Sequence, residues 1–184
     1  MKFPCATRLV CAFQYKSDAE AFYGSLCDRL GQFGLSVAED KTRILRFCRF
    51  DLAGSGRFDF LGFEFFWART RRGPRGVKRR TSRKKLRASL ATFSAWIRST
   101  RHRPLREIVP ILKAKYRGYW NYYGVIGNSA SLAQFFYRSK RILFKWLNRR
   151  SQRRSYTWTG FQALLDQVGI SAPRILSLVQ PRVL

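Results

Sequence analysis

Basic and aromatic residues alternate closely over residues 113–127, KAKYRGYWNYYGVIG, a combination suited to binding a polyanion. Lysine and arginine contact phosphate oxygens, and tyrosine or tryptophan stacks on unpaired bases. At helical spacing these residues separate into two faces. The apolar face comprises Ile108, Leu112, Tyr116, Tyr119 and Tyr123, and the other face comprises Lys113, Arg117 and Trp120. We therefore expect a helix that packs on one side and offers cations, with an aromatic end, on the other.

The charge distribution favours a nucleic-acid partner for the same part of the chain. The formal net charge is +27. Residues 1–66 hold 9 basic and 8 acidic residues, whereas residues 67–184 hold 28 and 2. Repulsion on that scale destabilises a compact domain unless a polyanion supplies the counter-charge. Nucleic acid is favoured over a membrane surface, and no apolar run is long enough to span a bilayer. Composition does not distinguish RNA from DNA.

Residue types that could carry catalysis are present, but their spacing does not predict an active site. Two-metal phosphoryl transfer needs at least two carboxylates aimed at one point. The adjacent pair Glu39 and Asp40 is predicted in a turn, and no adjacent acidic pair lies at a strand end that faces a cleft. His102 is the only histidine and lies between Arg101 and Arg103, so a surface or phosphate-contacting role is favoured over catalysis. The 4 cysteines form no CxxC pair, which argues against a zinc site or disulfide framework. Reduced thiols in the cytoplasm are the expectation.

The N-terminal unit, residues 1–67, has a predicted β-α-β-β-β pattern. Four apolar runs are predicted as strands: residues 9–15, 35–37, 44–47 and 58–67. A helix is predicted to begin at Ser17, with Glu20 three residues on as a capping box, and to end at Gly34.

The remaining residues predict a basic linker and then a helical bundle. Residues 68–80 are read as the linker, and residues 81–155 as three amphipathic helices. The first helix is predicted to begin near Thr81 or Ser82 and Pro104 to lie in the first turn of the second, which Pro110 either kinks or begins. The first helix has its apolar face at Leu86, Leu90, Phe93 and Ile97. Residues 156–184 are predicted as a short helix and a loose tail, and the whole fold as α+β.

The residues expected to contact nucleic acid lie on the polar sides of these helices or in the basic segments beside them. They are Arg79, Arg80, Lys84, Lys85, Arg87, Lys113, Arg117, Trp120, Tyr122, Arg138, Arg141, Lys145, Arg149, Arg150, Arg153 and Arg154. Phe93, Phe135 and Trp146 are expected in the core instead, because they fall on apolar faces. Trp120 and Tyr122 lie off the apolar stripe, and packing and base stacking fit them equally well.

Four motifs along the chain together resemble a group II intron-encoded reverse transcriptase, or maturase. They are FGLSVAEDKTRILRF (33–47), FDFLGFEF (58–65), RGYWNYYG (117–124) and KWLNRRSQRRSYTW (145–158). The resemblance implies that residues 9–67 correspond to the last part of a polymerase palm. It places Phe60, Leu61, Gly62 and Phe63 in a primer-grip-like hairpin. It also implies that residues 80–155 correspond to the thumb, or maturase-specific, helical domain, which in that family binds intron RNA and helps it fold for splicing.

The chain departs from the family at its metal ligands. A Tyr-Ala-Asp-Asp motif in the family precedes the strand that matches residues 10–14, and its aspartates hold catalytic magnesium. Here that register falls on Cys5, Ala6, Thr7 and Arg8, so both carboxylates are missing. We therefore expect no catalytic residue, metal site or cofactor in this chain alone, and Mg²⁺ only if a partner chain completes the site.

Three functional interpretations stay open at the sequence level. The first is a non-catalytic, maturase-like fragment that binds structured RNA such as a group II intron, and an RNA/DNA duplex is a further ligand to consider. The second is the C-terminal half of a split RNA-directed DNA polymerase, completed by an N-terminal reverse transcriptase chain as its partner. The third is a truncated gene product without a function. None of them involves a membrane.

Overall fold

The structure is a computed structural model and describes residues 8–50, 56–70, 73–151, 155–170, 172–173 and 175. Within those residues it contains five α-helices and one three-stranded antiparallel sheet, which confirms the predicted α+β class. The helices are α1 (Lys16–Gly31), α2 (Arg83–Thr100), α3 (Leu105–Tyr123), α4 (Ser129–Leu147) and α5 (Trp158–Gln167). The strands are β1 (Phe58–Phe60), β2 (Phe63–Arg69) and β3 (Arg75–Thr81), paired in the order β1-β2-β3.

The chain divides into two compact units. One comprises Met1–Leu61 and Phe65–Val77, and the other comprises Gly62–Glu64 and Lys78–Leu184. We call the second one the helical unit, because α2 to α5 all belong to it. The division falls in the turn between β1 and β2, within β2 and within β3.

The predicted basic linker at residues 68–80 is corrected by the structure. Its first two residues end β2, and its last six begin strand β3, Arg75–Thr81, which pairs with β2. The high density of arginine and the glycines suggested a loop, but alternate residues of a strand can hold cations in partial exposure while the backbone pairs. Gly73 lies between β2 and β3 and marks the turn there, because its φ is 95°.

The first unit differs from prediction at its N-terminal end. Residues 9–15, 35–37 and 44–47 were predicted as strands, and none of them forms one. A strand is stabilised by hydrogen bonds to a neighbouring strand, and within the described residues only β1, β2 and β3 pair with one another. Helix α1 is present but begins at Lys16 and ends at Gly31, without the predicted side-chain cap.

Helix α2 follows the sequence prediction closely. Its N-cap is Ser82, whose side chain accepts a hydrogen bond from Lys85 N at 3.4 Å. The four residues of its predicted apolar face are all buried: Leu86, Leu90, Phe93 and Ile97. Apolar residues that recur every three or four positions lie on one side of a helix, and here that side packs against α4.

Helix α3 also buries the predicted stripe. Ile108, Leu112 and Tyr116 are buried, and Tyr119 is partly buried against the same core. Pro104 occupies the N-cap rather than the first turn, and Pro110 lies inside the helix. The helix therefore begins before Pro110 and not at it.

Helices α4 and α5 share one core with α2 and α3. Leu132, Phe135, Leu143 and Leu147 of α4 are buried, which confirms the core position expected for Phe135. Phe161 of α5 has no exposed surface and belongs to the same cluster. The predicted short helix therefore packs on the bundle, and the predicted tail lies largely outside the described residues.

A buried asparagine connects the end of the sheet to two helices of the helical unit. Asn128 is 1% exposed and accepts a hydrogen bond from Thr81 N at 2.8 Å. Its amide donates to Thr81 Oγ1 at 2.8 Å and to Tyr123 O at 2.9 Å. Buried polar groups of this kind are stabilising only when their partners are satisfied, so Asn128 fixes where β3, α3 and α4 meet.

Candidate nucleic-acid interface

The exposed cations of the helical unit lie on the solvent sides of α2, α3 and α4. The periodic burial of apolar residues leaves the positions between them to solvent, and lysine or arginine occupies many of these. The exposed candidates are Lys84, Lys85, Arg87, Lys113, Arg117, Arg138, Arg141, Lys145 and Arg149. These nine are all predicted contact residues, and the structure leaves each of their side chains accessible to a ligand.

Two predicted contact residues on β3 are less accessible. Arg79 is half-buried. Arg80 forms a hydrogen-bonded ion pair with Glu64, and that hydrogen bond raises the pKa of the arginine. A guanidinium already paired with a carboxylate has less charge to offer a phosphate, so Arg80 is a weaker candidate than the helical cations.

The two aromatic candidates on α3 differ in environment. Trp120 is partly buried and lies parallel to Tyr116, with ring centroids 5.5 Å apart, and also contacts Phe136. Tyr122 is 52% exposed and lies roughly parallel to Phe63 at 6.0 Å. Packing therefore accounts for Trp120, whereas Tyr122 keeps enough exposed surface to stack on a base.

The candidates that follow α4 are only partly described. Arg150 is half-buried, and its Nη2 donates to Arg103 O at 3.2 Å. Arg153 and Arg154 lie outside the described residues.

The residues that resemble a primer grip form the turn between β1 and β2. Phe60 ends β1 and Phe63 begins β2, so Leu61 and Gly62 are the two turn residues. Both have positive φ, 48° for Leu61 and 81° for Gly62. Two positive values in a two-residue loop are typical of the type I′ hairpin turn. Gly62 O accepts from Ser82 N at 2.9 Å, so this turn reaches the start of α2 within the helical unit.

Burial raises the pKa of three tyrosines on α3. It raises the pKa of Tyr116 to about 12, although a hydrogen bond to Ser139 Oγ at 2.9 Å opposes the shift. Ser139 donates its own proton to Phe136 O, so the tyrosine is the donor in that contact. The pKa values of Tyr119 and Tyr123 are also raised, first by burial and then by the neighbouring tyrosine. All three rings are therefore neutral packing groups at ordinary pH.

A cationic cluster that the sequence patterns missed lies around Trp146. Arg98 and Arg101 come from the end of α2, and Lys145 and Arg149 from the end of α4. Trp146 was expected in the core, and it does pack against the core, but only in part. The sequence feature that could have indicated this cluster is the pair Arg98 and Arg101, three residues apart at the end of α2. That this pair lies close to α4 depends on the tertiary fold.

Two observations concern metals and membranes. Among the residues that the structure describes, no three His, Cys, Asp or Glu side chains come together as a candidate metal site. In the same part of the chain, no helix is both long and apolar enough to cross a membrane. Cys5, Ala6 and Thr7, at the register of the family's metal ligands, lie outside the described residues.

The comparisons with known proteins leave the family open. No protein-family model matches the chain. No curated protein and no solved structure matches it either.

Proposed function

We propose that this protein binds structured RNA through the outer sides of α2, α3 and α4, as a maturase-like fragment without polymerase activity of its own. The observation that carries the proposal is the set of exposed cations on three packed helices. Only two acidic residues, Glu107 and Asp166, occur in residues 67–184 to offset them. Neither forms an ion pair with a described residue.

Electrostatics support this proposal more strongly than a purely structural role for the charges. Surface charges of mixed sign largely cancel and add little to folding stability. Cations that lack carboxylate partners repel one another, and phosphate groups remove that repulsion while they release bound counterions. The half-exposed Tyr122 adds an aromatic ring on the same helix as Lys113 and Arg117, and proteins that bind unpaired bases commonly use such rings. The four sequence motifs that resemble a maturase favour RNA as the polyanion.

Filter binding of the full chain tests the proposal directly. The ligands are a structured group II intron RNA and a DNA duplex of similar length, each measured at 50 and 200 mM monovalent salt. With six or more phosphate contacts, affinity is expected to fall by about 10³-fold or more over that interval. Affinity that is weak and insensitive to salt would reject the proposal, and tighter binding of the DNA would reject RNA as the ligand.

A charge-matched pair of variants localises the binding. Replacing Lys145, Arg149 and Arg150 with alanine is expected to weaken RNA binding by at least about tenfold. Each phosphate contact that is lost reduces the number of counterions released from the RNA on binding. The control replaces Lys41, Arg43 and Arg46, three exposed cations of the first unit, and is expected to change affinity less than threefold. Equal losses in both variants would show that net charge alone governs binding.

One observation favours a second candidate function. None of residues 8–50 is buried, and the large apolar side chains Leu9, Phe33 and Phe50 are 62%, 66% and 74% exposed. An apolar surface of that extent is typical of a segment that another polypeptide covers. A reverse transcriptase completed by a separately encoded N-terminal chain would supply such a cover, together with the missing carboxylates.

Mixing experiments test the second candidate. An N-terminal reverse transcriptase chain that carries the aspartate motif is combined with this protein, and primer extension on an RNA template is measured with Mg²⁺. Extension by the mixture, but by neither chain alone, is the expected result. Lack of extension, with aggregation of this protein by itself and no preference among RNAs, would instead support a truncated product without a function.

A further inference from the structure

Four cationic side chains surround the indole of Trp146. Their charged groups lie close to the ring centroid: Arg98 Cζ at 5.7 Å, Arg101 Cζ at 5.4 Å, Lys145 Nζ at 5.5 Å and Arg149 Cζ at 5.8 Å. We call these four residues and Trp146 the Trp146 cluster. Two members come from the end of α2 and its following turn, and the others from the end of α4 and its following turn.

The Trp146 cluster is held in place by packing and hydrogen bonds. Trp146 Nε1 donates to Ser94 Oγ of α2 at 3.2 Å, which fixes the orientation of the ring. The ring also packs against the hydrophobic core. Arg101 Nη1 donates to Arg98 O at 2.7 Å, where α2 ends. The cations therefore converge on a fixed apolar support rather than on a mobile surface side chain.

Four positive charges gathered in this way repel one another. All lie within 6 Å of one point, so no two are further apart than about 12 Å. Physiological salt screens exposed charges over about 8 Å, so repulsion remains between the pairs that are closer than that distance. Contact with the face of the ring offsets part of this repulsion. None of the four forms an ion pair with a described carboxylate. The remaining counter-charge must come from a ligand or from the solvent.

Unsatisfied donors near the same helix ends give a second reason to expect an anion. The Nε atoms of Arg101 and Arg150 are buried and have no hydrogen-bond partner among the described residues. Arg150 is tied to the turn after α2 by its bond to Arg103 O. A buried donor without a partner is unfavourable, and an acceptor that reached either Nε atom would remove that cost.

We propose that the Trp146 cluster is a phosphate-binding subsite that seats a phosphodiester group of the bound polynucleotide. This inference rests on the proposed function and identifies where the protein contacts the phosphate backbone of the polynucleotide. Guanidinium groups suit the task because they bind phosphate oxygens with two parallel hydrogen bonds. Trp146 supports the cations and does not stack on a base, since Ser94 and the core already hold its ring.

The first test compares two variants with the same change in charge. Arg98→Gln with Arg101→Gln is expected to lower affinity for the RNA by at least tenfold and to reduce the log–log salt slope by about 1, because one phosphate contact is lost. Arg43→Gln with Arg46→Gln, two exposed arginines of the first unit, is expected to lower affinity less than threefold. Equal affinities of the two variants, with steep salt dependence in the unaltered protein, would overturn the subsite and leave the proposed function standing. No salt-dependent binding by the unaltered protein would overturn both.

The second test observes the indole directly. The Nε1–H resonance of Trp146 in a ¹H–¹⁵N spectrum is assigned with Trp146→Phe, and that of Trp158 on α5 with Trp158→Phe. Inorganic pyrophosphate and then the RNA are expected to move the Trp146 resonance, and not that of Trp158, in the unaltered protein. The Arg98→Gln, Arg101→Gln variant is expected to lose this response. A Trp146 resonance that stays in place with RNA, or responds equally in the variant, would contradict the subsite.

Discussion

At the scale of single residues, polar groups inside the helical unit carry specific structural roles. Asn128 and Ser139 are 1% and 0% exposed, and both are fully engaged with named partners. Such groups raise the free energy of any other packing of the helices, because a buried donor or acceptor that loses its partner is not rehydrated. They hold the helices whose outer sides bear the cations.

Replacing Asn128 with alanine is expected to destabilise the protein by roughly 2–4 kcal/mol, because groups of Thr81 and Tyr123 lose their partner. Urea unfolding followed by circular dichroism measures the change. Asn121→Ala on the exposed side of α3 is the control and is expected to stay within about 0.5 kcal/mol of the unaltered protein. Similar midpoints for the two variants would show that the Asn128 hydrogen bonds contribute little.

The buried tyrosines predict a loss of stability at alkaline pH. Burial raises the pKa of Tyr116 to about 12, above the value near 10 expected in the unfolded chain. The folded state therefore holds this proton more tightly, so its contribution is complete below pH 10 and is lost as pH rises toward 12. Two pH units correspond to about 3 kcal/mol.

Unfolding free energies of the protein and of Tyr116→Phe, measured from pH 8 to 12, check this. The variant is expected to lose stability less steeply above pH 10, although Tyr119 and Tyr123 still contribute. Parallel curves for the two proteins would show that Tyr116 ionises as readily in the folded state as in the unfolded one.

At the scale of elements, helical periodicity predicted the helices and their buried sides more accurately than strand patterning predicted the strands. Leu86, Leu90, Phe93 and Ile97 specify one side of α2 through local spacing alone, and all four are buried. Strand β3 could not be recognised in the same way, because a strand depends on a partner that the local sequence does not reveal. The Trp146 cluster was missed for a related reason, since it joins residues 98 and 146 across two helices.

Substitutions at the two residues of the turn between β1 and β2 are expected to change the stability of the protein in opposite directions. Leu61 adopts φ of 48°, which costs a leucine more than an asparagine, so Leu61→Asn is expected to stabilise the protein by about 0.5–1 kcal/mol. Gly62→Ala is expected to destabilise it by about 1–3 kcal/mol, because φ is 81° and the added Cβ would lie 3.0 Å from Tyr123 Oη. Thermal unfolding of both variants measures the effects. A shift of the same sign in both would contradict the type I′ assignment.

At the scale of the whole molecule, charge and burial are divided unequally along the chain. Residues 67–184 carry a net charge of +26, as the difference between 28 basic and 2 acidic residues, and include the buried helical core. Residues 8–50 are near neutral in comparison and bury none of their side chains. The sequence alone predicted the charge division, whereas the lack of burial depends on which strands find partners.

Ultraviolet crosslinking of the full chain to a structured RNA, followed by mass spectrometry of the peptides, shows directly whether α2, α3 and α4 contact RNA. We expect crosslinks on the exposed sides of α2, α3 and α4, with Tyr122 and peptides that contain Lys113, Arg141 or Lys145 among them, and loss of these crosslinks at high salt. Crosslinks confined to residues 8–50, or none on the three helices, would contradict the account.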